Sequence, residues 1–447
     1  DGQFFATGAS CSHYSAPLAQ GVVAKDKYHV VCPWHDAAFD LRTGLPVRGP
    51  ALMAIPTYAV SVENGEVIVD LPKNMEEFTE PQVVERDAND KRVFAIVGGG
   101  AAGAVAADTL RQEGYAGRII LLSAEKHLPY DRPVLSKNFA KAEDVESLAL
   151  RSSAHFEALG IEAVVRFMQL LGHLLVRHAC LCLLVRLGAE VTSLDAGLKE
   201  ITLRSGEQIR YDKALVATGA RPRPLPVPGG NLPELTCLRT PEDARRIAAN
   251  CGASSTVVVI GSSFIGMEVA ATLRRRGCKV VVLGMEAVPF ERVLGRRVGQ
   301  QMKDFFESKG IEFIGEASVV EVKQATGGLR IALKSGKTLD CAAAVVGIGV
   351  IPNGEFVTGV EKARDGSLKT DASLKTSAEG LYAAGDMATY TTPSGEAMRV
   401  EHWDVATSQG RVAARNMAGK EVIYEQTPFF WTSIFGKNLR YVGYCLR

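Results

Sequence analysis

Two short stretches near the N-terminus, each combining a cysteine with a histidine, constrain this chain most. One residue separates Cys11 from His13, two separate Cys32 from His35, and eighteen lie between the two pairs. Thiolates are soft anionic ligands and imidazoles are neutral ones, so four such donors suit a [2Fe-2S] cluster with both cysteines on one iron and both histidines on the other. Zinc, a disulfide or chance pairing are the alternatives, although zinc fingers usually place cysteine with cysteine and histidine with histidine. The pattern favours the cluster.

The residues around the two pairs resemble the framework of Rieske domains. The resemblance lies in CSHYSAPL and VVCPWHDAAFDLRTG, and its framework residues are Gly21, Pro33, Phe39, Thr43, Gly44 and Pro46. Asp36 departs from it, because Rieske domains usually have glycine there. Neither stretch has the additional cysteine that joins the two loops of high-potential members. The resemblance therefore implies a cluster of the low-potential ferredoxin type.

The segment after the second pair predicts the end of a small β domain. Apolar and polar residues alternate from Tyr58 to Val69 around Asn64-Gly65, which is typical of a β-hairpin. We predict a Rieske domain over residues 1–70 and a charged linker over 71–90, along which the domain could sit against the rest of the chain or swing toward it. Because the first cysteine comes so early and residue 1 is not Met, we expect the N-terminus to be truncated.

A buried-strand pattern over residues 93–97 runs directly into a glycine-rich turn and an alanine-rich stretch. In this context Gly98, Gly100 and Gly103 form a dinucleotide-binding fingerprint: a tight turn, room for a pyrophosphate and close packing of the following helix. The next predicted strand ends near Glu125, a candidate ligand of the ribose hydroxyls. An exposed loop acid at Glu125, or Ala124 in the ribose position, remains open.

A second unit of the same kind begins at Thr256. Its turn contains Gly261, Ser263 and Gly266, and serine is small enough to replace the middle glycine beside a pyrophosphate. The following strand leads into Gly284-Met285-Glu286, without an arginine to meet a 2′-phosphate. This favours NAD(H) over NADP(H).

One stretch, residues 166–186, interrupts an otherwise continuous pattern. A membrane span is disfavoured, because three arginines and two histidines lie within it and a central arginine costs about 2.5–3.5 kcal/mol in a bilayer. A surface amphipathic helix is one interpretation. Our sharper hypothesis is an inserted or wrongly spliced segment.

Five further motifs lead to a second resemblance, which covers nearly the whole chain. The chain is similar to the Rieske-containing apoptosis-inducing-factor-like flavoproteins, relatives of the ferredoxin reductases that serve oxygenases, within the pyridine nucleotide-disulphide oxidoreductase superfamily. The motifs are LPYDRPxLSK from Leu128, ATGARP from Ala217, YAAGD from Tyr382, EHW from Glu401 and PFFWT from Pro428.

The resemblance implies roles for residues on the flavin side. Arg132 and Lys137 would meet the flavin pyrophosphate or the charge of the reduced ring, with Lys137 close to the isoalloxazine; two surface cations are the alternative. Cofactor contact is also implied for these residues: Thr218, Gly219, Gly385 and Asp386. In this family the aspartate of the last motif accepts a hydrogen bond from the ribityl chain.

It also implies residues that act near the nicotinamide. Glu268 resembles the acid that anchors that end of the cofactor, although an acid in a helix first turn is favoured by the helix dipole alone. Trp403 and Trp431 match aromatic residues beside the flavin, with ordinary packing as the alternative. The residues expected to act in catalysis are Lys137, Glu268 and Trp403.

The expected architecture is multidomain, with the β domain followed by two doubly wound α/β domains. We expect an FAD domain over 91–222 and 346–420, an NAD(P) domain over 223–345 inserted into it, and the start of a mostly missing C-terminal α/β domain over 421–447.

The expected function is electron transfer from NAD(P)H through FAD to the cluster and on to an unidentified acceptor; a slowly turning over redox-signalling protein is the alternative. The formal net charge of +1 argues against a nucleic-acid partner. A homodimer is a candidate assembly. We expect a cytoplasmic location, with mitochondria as the alternative.

Overall fold

The N-terminal unit is built from short antiparallel strands. The computed structural model describes residues 3–24, 27–162 and 185–444. A four-stranded sheet has the order Val22–Ala24, His29–Val31, Ala38–Asp40, Pro46–Arg48, and Ala6–Thr7 pairs separately with Thr57–Tyr58. The predicted hairpin is confirmed as Val60–Glu63 paired with Glu66–Val69. Asn64 and Gly65 both have positive φ in its turn, as a two-residue hairpin of this kind requires.

The predicted linker lies against its neighbours. Residues 71–90 contain neither a helix nor a strand. Thr79 exchanges two backbone hydrogen bonds with Ala54 of the N-terminal unit, at 2.9 and 3.0 Å. Further along, the amide of Val84 donates to the carbonyl of Arg111 at 3.1 Å. The middle of the segment is therefore tied on one side to the N-terminal unit and on the other to the helix that contains Arg111.

The first parallel sheet follows this segment. Its central strands are Val93–Val97, Arg118–Ser123 and Lys213–Val216, and Leu381–Ala383 closes one edge. Central strands buried on both faces need continuous apolar runs, and Phe94 to Val97 are all buried. The last strand returns from far along the chain, so the sheet is completed only after an intervening unit.

The other edge of this sheet consists of two short strands that are separated in sequence but pair with consecutive residues of the neighbouring strand. Ile161 and Glu162 pair with Ile119 and Ile120, and the next position, Leu121, pairs with Val185. The two short strands Ile161–Glu162 and Val185–Leu187 thus follow one another in register along the same neighbour. Most of the predicted insertion, residues 166–184, lies outside the described residues.

A second parallel sheet forms the intervening unit. Its order is Leu235–Cys237, Ala343–Val346, Thr256–Ile260, Lys279–Leu283, Ile311–Ile314. Beside it lies an antiparallel sheet of Val319–Ala325, Gly328–Leu333 and Thr338–Cys341. The valine-rich central strands are again buried, which is typical of a sheet covered on both faces.

Seven α-helices are described in residues 3–24, 27–162 and 185–444. They are α1 Ala101–Gln112, α2 Val134–Lys137, α3 Ser153–Ala158, α4 Pro241–Asn250, α5 Phe264–Arg275, α6 Glu291–Ser308 and α7 Trp403–Met417. Helices α1 and α7 pack closely, because a Cβ on Gly410 would lie only 2.2 Å from the carbonyl oxygen of Ala102. This contact places the middle of α7 against the first turn of α1.

The remaining strands complete the surroundings of these sheets. One small sheet has the order Gln208–Arg210, Glu200–Leu203, Val191–Asp195, Val357–Thr358, and another consists of Leu368–Thr370, Ala388–Thr391 and Ala397–Met398. Ala220–Pro222 pairs with Val350–Pro352 where the two large units join. The last two described strands, Phe429–Ile434 and Lys437–Val442, pair as the C-terminal hairpin.

Candidate metal centre and dinucleotide sites

The two cysteines of the N-terminal pairs meet in the core of the β unit. Cys11 and Cys32 are buried and both are free thiols. The hydrogen bond between their side chains lowers the pKa of Cys32 to about 6, and the same bond together with burial raises the pKa of Cys11. Cys32 is therefore readily ionised, which is the state that binds metal.

The two histidines meet at the outer edge of the same loops. The Nδ1 atoms of His13 and His35 lie 3.1 Å apart, with the rings edge to face. Burial lowers the pKa of His13 to about 3 and that of His35 to about 4. Both imidazoles are therefore neutral at physiological pH, so their nitrogen lone pairs are free to bind a metal.

This donor set fits a [2Fe-2S] cluster better than it fits zinc. Within the described ranges, no three His, Cys, Asp or Glu side chains converge on one point, whereas a structural zinc ion needs about four donors around it. A cluster instead needs one pair of thiolates and one pair of imidazoles on two separate irons. The structure presents the donors as two such pairs.

The histidine edge faces the C-terminal hairpin. The ring of His35 lies 4.6 Å from that of Trp431 and the ring of His13 lies 5.9 Å from it, measured between centroids. Tyr14 stacks on His13 at 3.9 Å, and its hydroxyl donates a hydrogen bond to the carboxylate of Asp131. The loop of the first pair is thus joined directly to the segment before α2.

Buried arginines tie the β unit to the α/β part of the chain. Arg411 of α7 donates to the carbonyls of Pro46 and Ala51 at 2.8 and 3.3 Å. Arg151 donates to the carbonyl of Leu52 at 3.0 Å and to Asp108 of α1 at 2.8 Å. Separation of the two parts would leave these buried carbonyl oxygens without their hydrogen-bond donors, which is costly. The arginine contacts therefore favour one fixed arrangement of the β unit on the α/β part.

Gly49 shows how closely the two parts fit. Its amide donates to the hydroxyl of Ser408 at 3.2 Å. A Cβ at this position would lie 2.0 Å from Oγ1 of Thr407, a distance that real side chains do not reach. Only a residue without a side chain allows the backbone to approach α7 this closely.

The first glycine turn leaves room for a phosphate. Gly98 has φ +122°, and a Cβ on Gly103 would lie 1.9 Å from the carbonyl oxygen of Gly98. A Cβ on Gly100 would meet no described protein atom within 4 Å, and this residue caps the N-terminus of α1. Open space at a helix N-terminus is what a cofactor pyrophosphate requires.

Further positions predicted for the flavin surround the same space. Gly219 and Gly385 both have positive φ, and the amide of Gly385 donates to Gln409 at 2.8 Å. The amide nitrogen of Gln409 and Nδ1 of His402 are buried without a hydrogen-bond partner among the described residues. Unpaired buried polar atoms are costly, so a ligand with polar atoms, such as FAD, fits here.

Thr218 and Trp403 are two further residues for which the sequence implied a role beside the cofactor. The Thr218 hydroxyl donates to the carbonyl of Asn353 at 2.8 Å, which joins the first parallel sheet to the segment that returns from the second. Trp403 begins α7 and is half-buried against the apolar core between the first parallel sheet, α1 and α7. The roles implied for both residues depend on the bound cofactor.

Lys137 and Glu268, which the sequence singled out for separate roles, form an ion pair at the junction of the two units. The lysine Nζ lies 3.0 Å from Oε1 of Glu268, which is itself buried. Ser136 donates to the same carboxylate, and the hydroxyl of Thr432 donates to it at 2.5 Å. Because Thr432 follows Trp431, this pair and the histidine edge meet on one hairpin strand.

Glu125 and Arg132 bind each other. Nη2 of Arg132 lies 2.6 Å from the carboxylate, and the hydroxyl of Tyr130 donates to it at 2.8 Å. Burial works against ionisation of Glu125, but the adjacent Arg132 outweighs it and lowers the pKa of the carboxyl. Glu125 was predicted to bind the ribose and Arg132 the flavin pyrophosphate. Both side chains would have to contact the cofactor while they remain paired with each other.

Arg239, which the sequence motifs did not single out, joins this network. Its carbonyl accepts from Arg132 at 2.6 Å, and its guanidinium lies 3.9 Å from the carboxylate of Asp386 and 2.9 Å from where a Cβ of Gly219 would stand. A second cation beside the predicted flavin position suits a pyrophosphate. The only sequence signal was an arginine just before the capping sequence of α4.

The second glycine turn repeats the first. Gly261 has φ +116°, and a Cβ there would lie 2.1 Å from the carbonyl oxygen of Gly347. A Cβ on Gly266 would lie 2.2 Å from the carbonyl oxygen of Gly261. Ser263 occupies the N-cap of α5 and makes no capping bond with its side chain, so its hydroxyl remains available at the helix N-terminus.

Comparisons with known proteins agree with these two kinds of site. The family described as pyridine nucleotide-disulphide oxidoreductase matches residues 92–410, and the Rieske [2Fe-2S] domain matches residues 1–59. Of the helices in the described residues, none is long and apolar enough to cross a membrane.

Named relatives and solved structures are similar over most of the chain. Apoptosis-inducing factor 3 of Homo sapiens is 35% identical over 99% of this chain and 71% of its own length. The benzene 1,2-dioxygenase system ferredoxin–NAD(+) reductase subunit of Pseudomonas putida is 31% identical over 78% of this chain and 80% of its own. The ferredoxin reductase for the CYP199A2 system of Rhodopseudomonas palustris has TM-score 0.70 and 33% identity, covering 79% of this chain and 83% of that one.

Proposed function

This chain belongs to the pyridine nucleotide-disulphide oxidoreductase family and carries a Rieske [2Fe-2S] domain, and from this we propose a specific route for its electrons. It is an FAD-dependent NAD(P)H oxidoreductase that passes electrons from the flavin to its own Rieske cluster and then to an acceptor. One observation supports the route above all: both cluster histidines face Trp431, and the next residue binds the Lys137–Glu268 pair.

Bound FAD supplies the chemistry, because it accepts a hydride from NAD(P)H and releases electrons singly. The protein supplies position and charge. The turn at Gly100 and the cations Arg132 and Arg239 would hold the pyrophosphate, and Lys137 would face the flavin ring from the junction of the two sheets. Glu268 fixes the lysine ammonium at 3.0 Å and would orient the nicotinamide.

The structure supports transfer within one chain. The β unit is held by buried arginine contacts and by the hydrogen bond from Tyr14 to Asp131. Trp431 contacts both histidines and the adjacent Thr432 donates a hydrogen bond to Glu268, so one strand of the C-terminal hairpin contacts both sites. An acceptor would then receive electrons from the cluster rather than from the flavin.

The domain division that we propose is the one predicted from the sequence: a Rieske domain to residue 70, an FAD domain over 91–222 and 346–420, and an NAD(P) domain over 223–345. The strand Leu381–Ala383 supports the inserted arrangement, because it belongs to the first sheet although it follows the second sheet in the sequence. A homodimer and a cytoplasmic location stay predictions.

NADH is the proposed donor. Glu286, which follows the strand Lys279–Leu283, is placed to accept hydrogen bonds from the ribose hydroxyls of NAD(H). Arg292 lies 2.5 Å from this carboxylate and offsets its charge, so we expect only a modest preference for NAD(H) over NADP(H). The name of the Pseudomonas putida relative points the same way. We expect a higher kcat/KM with NADH than with NADPH, and a smaller preference in Glu286→Gln.

The experiment is an anaerobic NADH titration of the whole protein, with flavin bleaching followed by absorbance and the cluster by low-temperature EPR. We expect a Rieske-type signal to grow as the flavin bleaches. Cys32→Ser should bleach without that signal, and Trp431→Leu should bleach normally while the signal grows more slowly than in Trp431→Phe. Bleaching without a signal in iron-containing wild-type protein would refute the route.

A redox-signalling role is the second candidate, because the human relative is named apoptosis-inducing factor 3 and matches almost the whole chain. Steady-state turnover with ferricyanide or cytochrome c separates the two candidates. Rapid flavin reduction with negligible turnover would favour signalling.

A further inference from the structure

Asp36 occupies a backbone position that favours glycine. It directly follows the cluster ligand His35 and has φ +66°, in the left-handed region that residues with side chains rarely adopt. Aspartate tolerates this region better than most residues, but it gains no backbone advantage over glycine. The side chain at this position therefore needs a reason of its own.

Arg48 holds that side chain at two points. Its Nη2 lies 3.0 Å from Oδ1 of Asp36, and its Nε donates to the Asp36 carbonyl oxygen at 2.9 Å. Both side chains are about three-quarters buried, with 23% of Asp36 and 27% of Arg48 exposed. The carboxylate thus has a fixed place beside the loop that carries Cys32 and His35.

The surroundings limit the access of water to this pair. Arg48 precedes Gly49, whose backbone is pressed against α7. Asp404 of α7 is fully buried nearby, and the charges of Asp36 and Arg48 both act on its carboxyl. In such a partly dry interface, charges act over longer distances than they do in water.

We propose that Asp36 and Arg48 together set the reduction potential of the Rieske cluster. Reduction adds one electron, and hence one negative charge, to the cluster. The Asp36 carboxylate opposes that charge and lowers the potential, whereas the Arg48 guanidinium favours it and raises the potential. This inference rests on the proposed function, because it assumes that these four ligands hold a cluster.

The experiment is an EPR-monitored potentiometric titration of the whole protein. In Asp36→Asn we expect the reduction equilibrium to shift about tenfold toward the reduced cluster, which is a rise of about 59 mV. Asp36→Gly should rise by a similar amount, because charge rather than backbone strain is the cause. Arg48→Gln should shift the opposite way, and Arg48→Lys, which keeps the charge, should stay near wild type.

A second Asp–Arg pair of the same domain gives the matched control. Arg42 lies 2.6 Å from Asp40 and is half-exposed, so Arg42→Gln should change the equilibrium less than about twofold. If Asp36→Asn leaves the potential unchanged, or if Asp36→Asn and Arg48→Gln shift it in the same direction, the inference is wrong. A wild-type protein without a Rieske signal would instead overturn the proposed function.

Discussion

Gly49→Ala tests whether the Rieske domain is fixed against the FAD domain. The new Cβ would lie 2.0 Å from Oγ1 of Thr407 and 3.0 Å from its Cβ, both on α7. Because α7 is packed on α1 and cannot easily move, the Rieske segment has to retreat. Relief of the clash needs a separation of about 1 Å or more at this point, a typical case of overpacking.

The size of the effect follows from that clash. Overpacking of a well-packed contact costs about 1–3 kcal/mol, and for a unit of this size that lowers the melting temperature by on the order of 5 °C. The hydrogen bond from the Gly49 amide to Ser408, 3.2 Å in the structure, would lengthen as well. Since the same segment carries the carbonyls bound by Arg411, the histidine edge should also move away from Trp431.

The test compares wild type, Gly49→Ala, Thr407→Ala and the double variant. Scanning calorimetry gives the melting temperature of each protein, and the rate at which the EPR signal of the cluster follows flavin bleaching reports electron transfer. Gly49→Ala should melt earlier and reduce its cluster more slowly. Thr407→Ala should differ from wild type by less than about 1 kcal/mol, and the double variant should recover more than half of the loss, because the clashing hydroxyl is gone. Strictly additive effects would show that Gly49 and Thr407 do not meet, and the docked arrangement would be refuted.

Three further predictions concern other parts of the chain. Gly100→Ala should weaken FAD binding at least about tenfold and change the stability of the flavin-free protein by less than about 0.5 kcal/mol, whereas Gly103→Ala should reduce both; cofactor content and melting of the apoprotein check this. Burial lowers the pKa of His402 to about 4, so on acidification the histidine of the unfolded chain is protonated before that of the folded protein. The free energy of unfolding should therefore fall by on the order of 3 kcal/mol as pH drops from about 6.5 to 4. Urea unfolding should show a smaller loss over the same pH range in His402→Phe. Deletion of residues 163–184 should preserve melting temperature and FAD content, because Glu162 and Val185 pair with consecutive residues; a deletion one residue shorter should be less stable, since it adds a bulge to the strand.

Local features of the fold were predictable because they depend on neighbours in sequence. The strand before Gly98, the helix after it and the hairpin at Asn64-Gly65 all follow from short-range patterns of apolar residues and glycine. The family and the cofactors followed in the same way from motifs. The edge strand was partly predictable: continuity of the sequence on either side of 166–186 indicated an insertion, and the register of Glu162 and Val185 fits that hypothesis without testing it.

The contacts between domains were not predictable, because they join residues that are far apart in sequence. Nothing near Arg411 indicates that it binds the carbonyls of Pro46 and Ala51. The ion pair between Arg132 and Glu125 was also found only in the structure, since the sequence motifs assigned each residue its own role toward the cofactor. Nothing in the sequence around Tyr14 indicates that its hydroxyl donates a hydrogen bond to Asp131.

The position of the histidine edge on Trp431 also determines how the overall reaction should respond to its surroundings. When donor and acceptor belong to one chain, their encounter does not depend on protein concentration, and it needs no long-range attraction between charged surfaces. Added salt should therefore leave the reduction of the cluster almost unchanged. Any dependence of turnover on ionic strength then arises in the last transfer, and its sign would report the charge of the partner that takes the electron away.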